Sequence, residues 1–395
     1  MEISYDSQIK LSQIAIHIDK KNSIVENSDT GEYFEIPEPG IIAIEGLQSN
    51  MDLKELEASL KKRFPEEDID LLDFIDQLLE LGLVSEVDGV EVADRAVSGS
   101  SDKFSWLPAR AGKFFFNRIS TRVYMLLFFF NIIIFSIKPE LFPNYKDIFL
   151  FDSLMLNILL MMGLSLLLIV VHELGHVLAV RSYGLPTSLG ISHRLFLVVF
   201  ETDMTHAWRL PARERNVLYL AGMCFDNVVL FVALIAQIAF PEASSLFPGI
   251  LAIAVLDIVI KMIYQCCFYM KTDLYYVFEN TTGCYNLMEN SKVYLRKWLP
   301  FLPAEKHTEM FEGEVKIVRL YSIFYLTGVL LTLGVFIGYG IPQMVYAYSQ
   351  LLPNLLRPVS DPYFWDSFAV LFQILIVLSL LLYSWTRKYK QRAHS

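Results

Sequence analysis

Leu154-Met155-Leu156-Asn157-Ile158-Leu159-Leu160-Met161-Met162-Gly163-Leu164-Ser165-Leu166-Leu167-Leu168-Ile169-Val170-Val171 carries no charge and runs directly into His172-Glu173-Leu174-Gly175-His176. A helix needs about 20 apolar residues to cross a bilayer, and this run meets that length. On a helix, His172 and His176 lie one turn apart on one face, with Glu173 between them in sequence. His-Glu-x-x-His in that form suits two imidazole ligands on zinc and a carboxylate base for water. Ionisable groups at such depth are costly and functional by default. A pair of buried histidines hydrogen-bonded within a bundle is the plainer alternative, but it leaves the adjacent glutamate unexplained.

Working outward, six stretches approach or reach spanning length. They are Val123–Ile137, Ser153–Val180, Asn216–Phe240, Phe247–Met270, Leu320–Ile341 and Ser367–Trp385. Basic residues set their direction. Arg110, Lys113, Arg118 and Arg122 precede the first span, and Arg181, Arg194, Arg209, Arg213 and Arg215 follow the second. Lys271, Lys292, Arg296 and Lys297 follow the fourth; Arg387, Lys388, Lys390 and Arg392 follow the sixth. All these clusters share one side if both termini are cytoplasmic. The expectation is a multi-pass protein of the cytoplasmic membrane.

Of the 395 residues, 54% are hydrophobic, above the roughly 45–50% of a soluble domain. The net charge of -10 comes largely from the polar, acidic first hundred residues, which argues against nucleic acid as a partner. Cys224, Cys266, Cys267 and Cys284 have no zinc-knuckle or disulfide spacing and read as small buried hydrophobes. No apolar segment of signal-peptide type follows Met1–Lys10.

The front of the chain is a different object. Ser23–Asn27 and Glu32–Ile36 read as strands around the turn Ser28-Asp29-Thr30-Gly31. Pro37 and Pro39 lead into a short helix around Ile41–Glu45. Leu53–Phe64 and Asp68–Leu83 repeat apolar residues at helical spacing. Gly82 and Gly89 bracket a last strand, Leu83–Val87. A hairpin, three helices and a small wing make a winged-helix pattern. The expected organisation is a small α+β winged-helix-like domain over residues 1–95, a linker over 96–109, and an α-helical polytopic membrane domain of about six transmembrane helices over 110–395.

A catalytic zinc keeps three protein ligands and one open position. The third must lie level with His172 and His176. Asp273 stands at or just past the cytoplasmic end of the fourth span, at that level. Asp257, deeper in the same span, has Lys261 four residues on and reads as an intrahelical ion pair. Asp226, in the third span, has no obvious cation nearby.

The combination of His172–His176 in a membrane helix, a later Asp273 and Tyr183-Gly184 resembles the site-2 protease family of intramembrane zinc metalloproteases. That resemblance implies His172, His176 and Asp273 as zinc ligands and Glu173 as general base. It covers roughly residues 150–290. The family's distal Asp-Gly is here Asp273-Leu274. Its Gly-Pro-x-x-Asn, whose amide serves the substrate backbone, is here Gly222-Met223-Cys224-Phe225-Asp226-Asn227, so Asp226 and Asn227 become candidate substrate contacts. The front domain resembles the PqqD-like peptide-recognition domains of enzymes that mature ribosomally made peptides. The carrying residues are Val25–Ile36 and Leu78–Val84. Such domains take a leader peptide as an added strand.

Between the second and third spans, Leu195–Phe200 is strand-like. Irregular backbone at a membrane edge is tolerated where it borders protein or a watery cavity. Leu197, Val198 and Val199 are therefore candidates to hold an extended substrate. His193 and His206 have no partner at helical spacing and are not read as ligands. The expectation that follows is an intramembrane zinc metalloendopeptidase acting on a peptide, the precursor of a modified peptide, in contact with the lipid bilayer. Two rivals stand beside it. One is a regulatory protease cutting a membrane-anchored signalling protein. The other is a non-enzymatic export or immunity factor with structural zinc.

Overall fold

A computed structural model describes residues 3–19, 23–92, 102–194, 197–240, 246–300 and 313–394. The chain divides into two compact units. The first is Met1–Ser105 with Leu185–Ser188 and Met204–Arg215; the second is Trp106–Gly184, Leu189–Asp203 and Asn216–Ser395. Residues 93–101, within and ahead of the expected linker, lie outside the described residues.

The first unit is a small α+β domain. It runs β1 (Ile9–Leu11), β2 (Ile14–Ile18), β3 (Ser23–Asn27), β4 (Glu32–Ile36), α1 (Glu38–Gln48), α2 (Leu53–Arg63), α3 (Leu71–Glu80), β5 (Val84–Val87) and β6 (Val90–Glu91). The expected hairpin is β3–β4, in register from Ser23↔Ile36 to Asn27↔Glu32. Three strands, β1, β2 and β6, add to those expected. Ile14-Ala15-Ile16-His17-Ile18 alternates and pairs with β3, giving an antiparallel sheet of order β2-β3-β4. The three-residue β1 pairs with β5, and β5 with β6. Asp88 (φ 53°) and Gly89 (φ 78°) close that last hairpin in the left-handed geometry of a two-residue turn. Asp52 and Asp70 start α2 and α3 by accepting from backbone N–H groups of the first turn. Val25, Ile44, Ile75, Leu78, Leu83 and Val87 form the fully buried core.

The other face of the β2-β3-β4 sheet is ionic. Buried Glu26 accepts from Arg209 Nε at 3.0 Å on both oxygens and lies 2.9 Å from His17 Nε2. Tyr33 Oη is 2.8 Å from His206 Nδ1. Asp19 pairs with Arg215, whose guanidinium lies 4.6 Å from the Trp208 ring centroid. Burial pushes the Glu26 carboxyl up; hydrogen bonds from Arg209 and His17 outweigh it and hold the group below its ordinary value.

The second unit is mostly helical. It contains α4 (Ala109–Phe115), α5 (Arg118–Ile137), α6 (Leu154–Ser182), the hairpin β7 (Leu189–Arg194) and β8 (Leu197–Thr202), α7 (Ala212–Ala239, whose first turn belongs to the first unit), α8 (Leu246–Gln265), α9 (Asp273–Thr282), α10 (Leu287–Arg296), α11 (Val315–Val335), α12 (Ile341–Leu351) and α13 (Pro362–His394). Among the described residues, six helices are long and apolar enough to cross a membrane: Arg118–Ile137, Leu154–Ser182, Ala212–Ala239, Leu246–Gln265, Val315–Leu356 and Pro362–Thr386. The fifth is continuous through a π turn at Phe336–Gly340. The fourth ends at Gln265 rather than Met270. The chain then leaves the helix, passes Lys271 in the left-handed region (φ 53°), and starts α9 at Asp273. Asp257 and Lys261 form the expected ion pair at 2.6 Å. All four cysteines are free, but only Cys284 is buried; Cys266 is exposed.

Two small residues set how closely the site helices approach. A Cβ on Gly175 would stand 2.6 Å from the backbone oxygen of Ala221, so α6 meets α7 backbone to backbone at the histidine motif. A Cβ on Gly112 would stand 2.2 Å from Leu178 O, which seats α4 against the end of α6. Asn131 of α5 donates to Asn227 Oδ1 at 2.8 Å and fixes α5 against α7 at nearly the same level.

Candidate metal centre

His172 and His176 project from one face of α6, as their spacing requires, and Asp273 reaches them from the first turn of α9. His172 Nε2 and His176 Nε2 are 3.2 Å apart. Asp273 Oδ2 lies 3.1 Å from the first and 3.4 Å from the second. Zinc bonds of about 2.0–2.1 Å in tetrahedral geometry put two ligand atoms about 3.3–3.4 Å apart. The triangle therefore has the size a shared ion would impose.

The outer atoms of the rings decide what the inner ones carry. His176 Nδ1 is 2.8 Å from Leu218 O, and a carbonyl oxygen only accepts, so the proton sits on Nδ1. His172 Nδ1 is 2.7 Å from Asp226 Oδ2, which asks for the same tautomer. In the neutral rings both Nε2 atoms then present lone pairs to the point that Asp273 Oδ2 faces. With the rings protonated instead, their charge and hydrogen bonds outweigh the upward push of burial and hold the Asp273 carboxyl well below the usual carboxylate range. Two imidazole nitrogens and a carboxylate oxygen converging in a buried space are a donor set for a divalent cation.

Gly222 of α7 keeps that space open. A Cβ there would lie 2.4 Å from His172 Nε2 and 2.5 Å from His176 Nε2. Helix propensity alone favours alanine over glycine by about 1 kcal/mol. Gly222→Ala is nevertheless expected to weaken zinc binding at least tenfold, because the methyl group occupies the meeting point of the ligands. A zinc titration against a competing chelator measures this; unchanged affinity would contradict the placement of the site.

Glu173 is buried, and one of its oxygens lies within 4.8 Å of the imidazole nitrogens. Thr202, at the end of β8, donates to Glu173 Oε2 at 2.7 Å. Glu173 is thus held by a hydroxyl, with a carboxylate oxygen beside the triangle. Among the described residues this is the one cluster of histidines and acids that could hold a metal ion.

The remaining sequence candidates fall elsewhere. Asp226 is 2% exposed, and its Oδ2 is engaged with His172 Nδ1. Asn227 is committed to helix packing: it accepts from Asn131 and donates to Tyr124 O at 2.9 Å. That uses one of its two amide hydrogens. Leu197, Val198 and Val199 do lie in a strand, β8, paired with β7 from Leu189↔Thr202 to Arg194↔Leu197. Leu195 and Phe196 are outside the described residues. His193 lies 2.8 Å from Ser384 Oγ, and His206 meets Tyr33; neither joins the triangle. Thr202 and Gln265, which donates to Asp273 Oδ2 at 2.8 Å, were missed in the sequence. A single hydroxyl and a single amide carry no motif.

No family model, no curated protein and no solved structure matches the chain.

Proposed function

We propose that this protein is an intramembrane zinc metalloprotease, similar to the site-2 proteases, with a PqqD-like winged-helix domain that recruits its peptide substrate. The observation that carries this is the triangle of His172 Nε2, His176 Nε2 and Asp273 Oδ2 with Glu173 beside it on an apolar helix. His172, His176 and Asp273 would hold the ion. Zinc bound there supplies Lewis-acid activation of water and of a peptide carbonyl. Glu173 takes one proton from the attacking water as the carbon–oxygen bond forms. It returns that proton to the amide nitrogen as the carbon–nitrogen bond breaks. Thr202 holds Oε2 of Glu173 during both transfers. The residues of β8 end at Thr202, so a substrate strand laid along β8 would be led toward Glu173. Helical peptides hide their carbonyls in hydrogen bonds, so the substrate must be extended before attack.

The basic clusters support a cytoplasmic-membrane protein with both termini in the cytoplasm. The front domain supports recognition of a leader segment. β4 is an edge strand of the β2-β3-β4 sheet, and edge strands are where a peptide adds as a further strand. The substrate is then the precursor of a ribosomally made, modified peptide.

Deleting residues 1–95 tests the recruitment step. Cleavage of a leader-bearing precursor should fall at low substrate concentration, while zinc content and cleavage of the leaderless peptide persist. Equal loss on both substrates would make the front domain a structural cap. No loss on either would remove the recognition role. Cleavage of a membrane-anchored regulator, with no response to any leader, would favour a signalling protease.

A further inference from the structure

Asp273 occupies an awkward place for a ligand. It is the first residue of α9, preceded by a passage made of one 3-10 turn, Phe268–Met270, and Lys271 in the left-handed region. Carboxylates in the first turn of a helix are drawn to its unpaired backbone N–H groups. Thr272, at the cap position, makes no side-chain capping bond. Nothing in α9 itself turns the Asp273 carboxylate toward the histidines.

Gln265, the last residue of α8, does so from outside. Its Nε2 donates to Asp273 Oδ2 at 2.8 Å, and its Oε1 accepts from Asp273 N at 2.9 Å. Its backbone carbonyl accepts from Thr272 Oγ1 at 2.7 Å, and Thr272 is completely buried. Both ends of one side-chain amide therefore grip one residue. The Asp273 N–H that would compete for a carboxylate is already satisfied. The oxygen that receives the Gln265 proton is the same Oδ2 that faces both imidazoles. A carboxylate oxygen has two lone pairs. With one directed at Gln265, the other is left for the point where the histidine nitrogens meet.

We propose that Gln265 is a positioning residue for the third metal ligand, fixing the rotation of the Asp273 carboxylate and selecting Oδ2 as the donor. This rests on the zinc reading of the site. A merely structural tie between α8 and α9 needs only an acceptor for Asp273 N. Positioning also needs the donor to Oδ2. Two variants separate these. Gln265→Met keeps the length and loses both bonds. Gln265→Glu keeps the acceptor and the shape but loses the donor.

The probes are zinc alone and cobalt(II) alone, added to the full-length, detergent-solubilised chain after chelator stripping. Losing a partner of a metal ligand commonly costs 10–100-fold in metal affinity. Gln265→Met should show that loss in a chelator competition. Gln265→Glu should bind cobalt(II) with visible absorption bands shifted from those of the unaltered chain. The unaltered affinity in Gln265→Met, or the unaltered cobalt spectrum in Gln265→Glu, would overturn the assignment. If Gln265→Met does not fold, the Gln265→Glu spectrum decides alone. Should the unaltered chain itself take up neither metal, the metal centre falls and Gln265 loses its role with it. Uptake by the unaltered chain with no change in Gln265→Glu removes the positioning role only.

Discussion

Glu173→Gln should keep one zinc per chain and lose peptide cleavage by about 10²–10⁴-fold, the usual contribution of a positioned general base. The substitution is mild for the fold. The amide is nearly isosteric, and its carbonyl oxygen can still accept the Thr202 hydroxyl that holds Glu173 Oε2 at 2.7 Å. No residue of the triangle changes, so metal content is preserved. What is lost is the ability to take a proton, since an amide is not a base near neutral pH. Thr202→Val supplies the complement. It leaves the base in place but frees its carboxylate, so a smaller loss is expected than for Glu173→Gln. Product formation by the zinc-loaded protein, followed by mass spectrometry, measures both. Full turnover by Glu173→Gln would remove the base assignment, and survival of the cellular phenotype with it would favour a non-enzymatic role.

The second large effect concerns the ligands. His172→Ala, His176→Ala and Asp273→Asn should each reduce bound zinc to background, because three protein ligands are the minimum of a catalytic site. Their effects on the protein without metal should differ. His172→Ala leaves Asp226 a buried carboxylate with its partner gone, and breaking a buried pair costs about 3–5 kcal/mol. His176→Ala leaves Leu218 O without its donor, a cost of about 1–3 kcal/mol. Asp273→Asn is close in shape, and its side-chain oxygen can still accept from Gln265, so its metal-free form should melt near the unaltered protein. Loss of zinc in all three with this order of melting temperatures separates ligation from stability. Zinc retained in Asp273→Asn would point to Glu173 as the third ligand instead.

The parts of this architecture that were legible in the sequence are those where periodicity or cost leaves a mark. Uncharged runs of about 20 residues announce the helices, because a bilayer admits little else. His172 and His176 announce themselves by one helical turn and by their price in apolar surroundings. The place of Asp273 beside them was recoverable by asking which carboxylate shares their level, and the ion pair expected of Asp257 and Lys261 is present. The strand β2 was also readable: Ile14, Ile16 and Ile18 alternate with Ala15 and His17. What the sequence did not reveal are contacts whose residue types are common everywhere. Gln265 at a helix end, Thr202 after a strand and the Leu218 carbonyl gain their meaning only from what the fold brings to them. Asp226 falls between these cases. A buried acid without a nearby cation in sequence was a clear anomaly, but its partner, His172, lies 54 positions away on another helix, within 2.7 Å.

The most direct measurement is the position of zinc itself. Anomalous X-ray scattering at the zinc edge, from crystals of the full chain purified without added metal, should give one strong peak. It should lie within about 2.0–2.2 Å of His172 Nε2, His176 Nε2 and an Asp273 carboxylate oxygen. Absence of a peak there, or a peak bound by other side chains, would contradict the metalloprotease account.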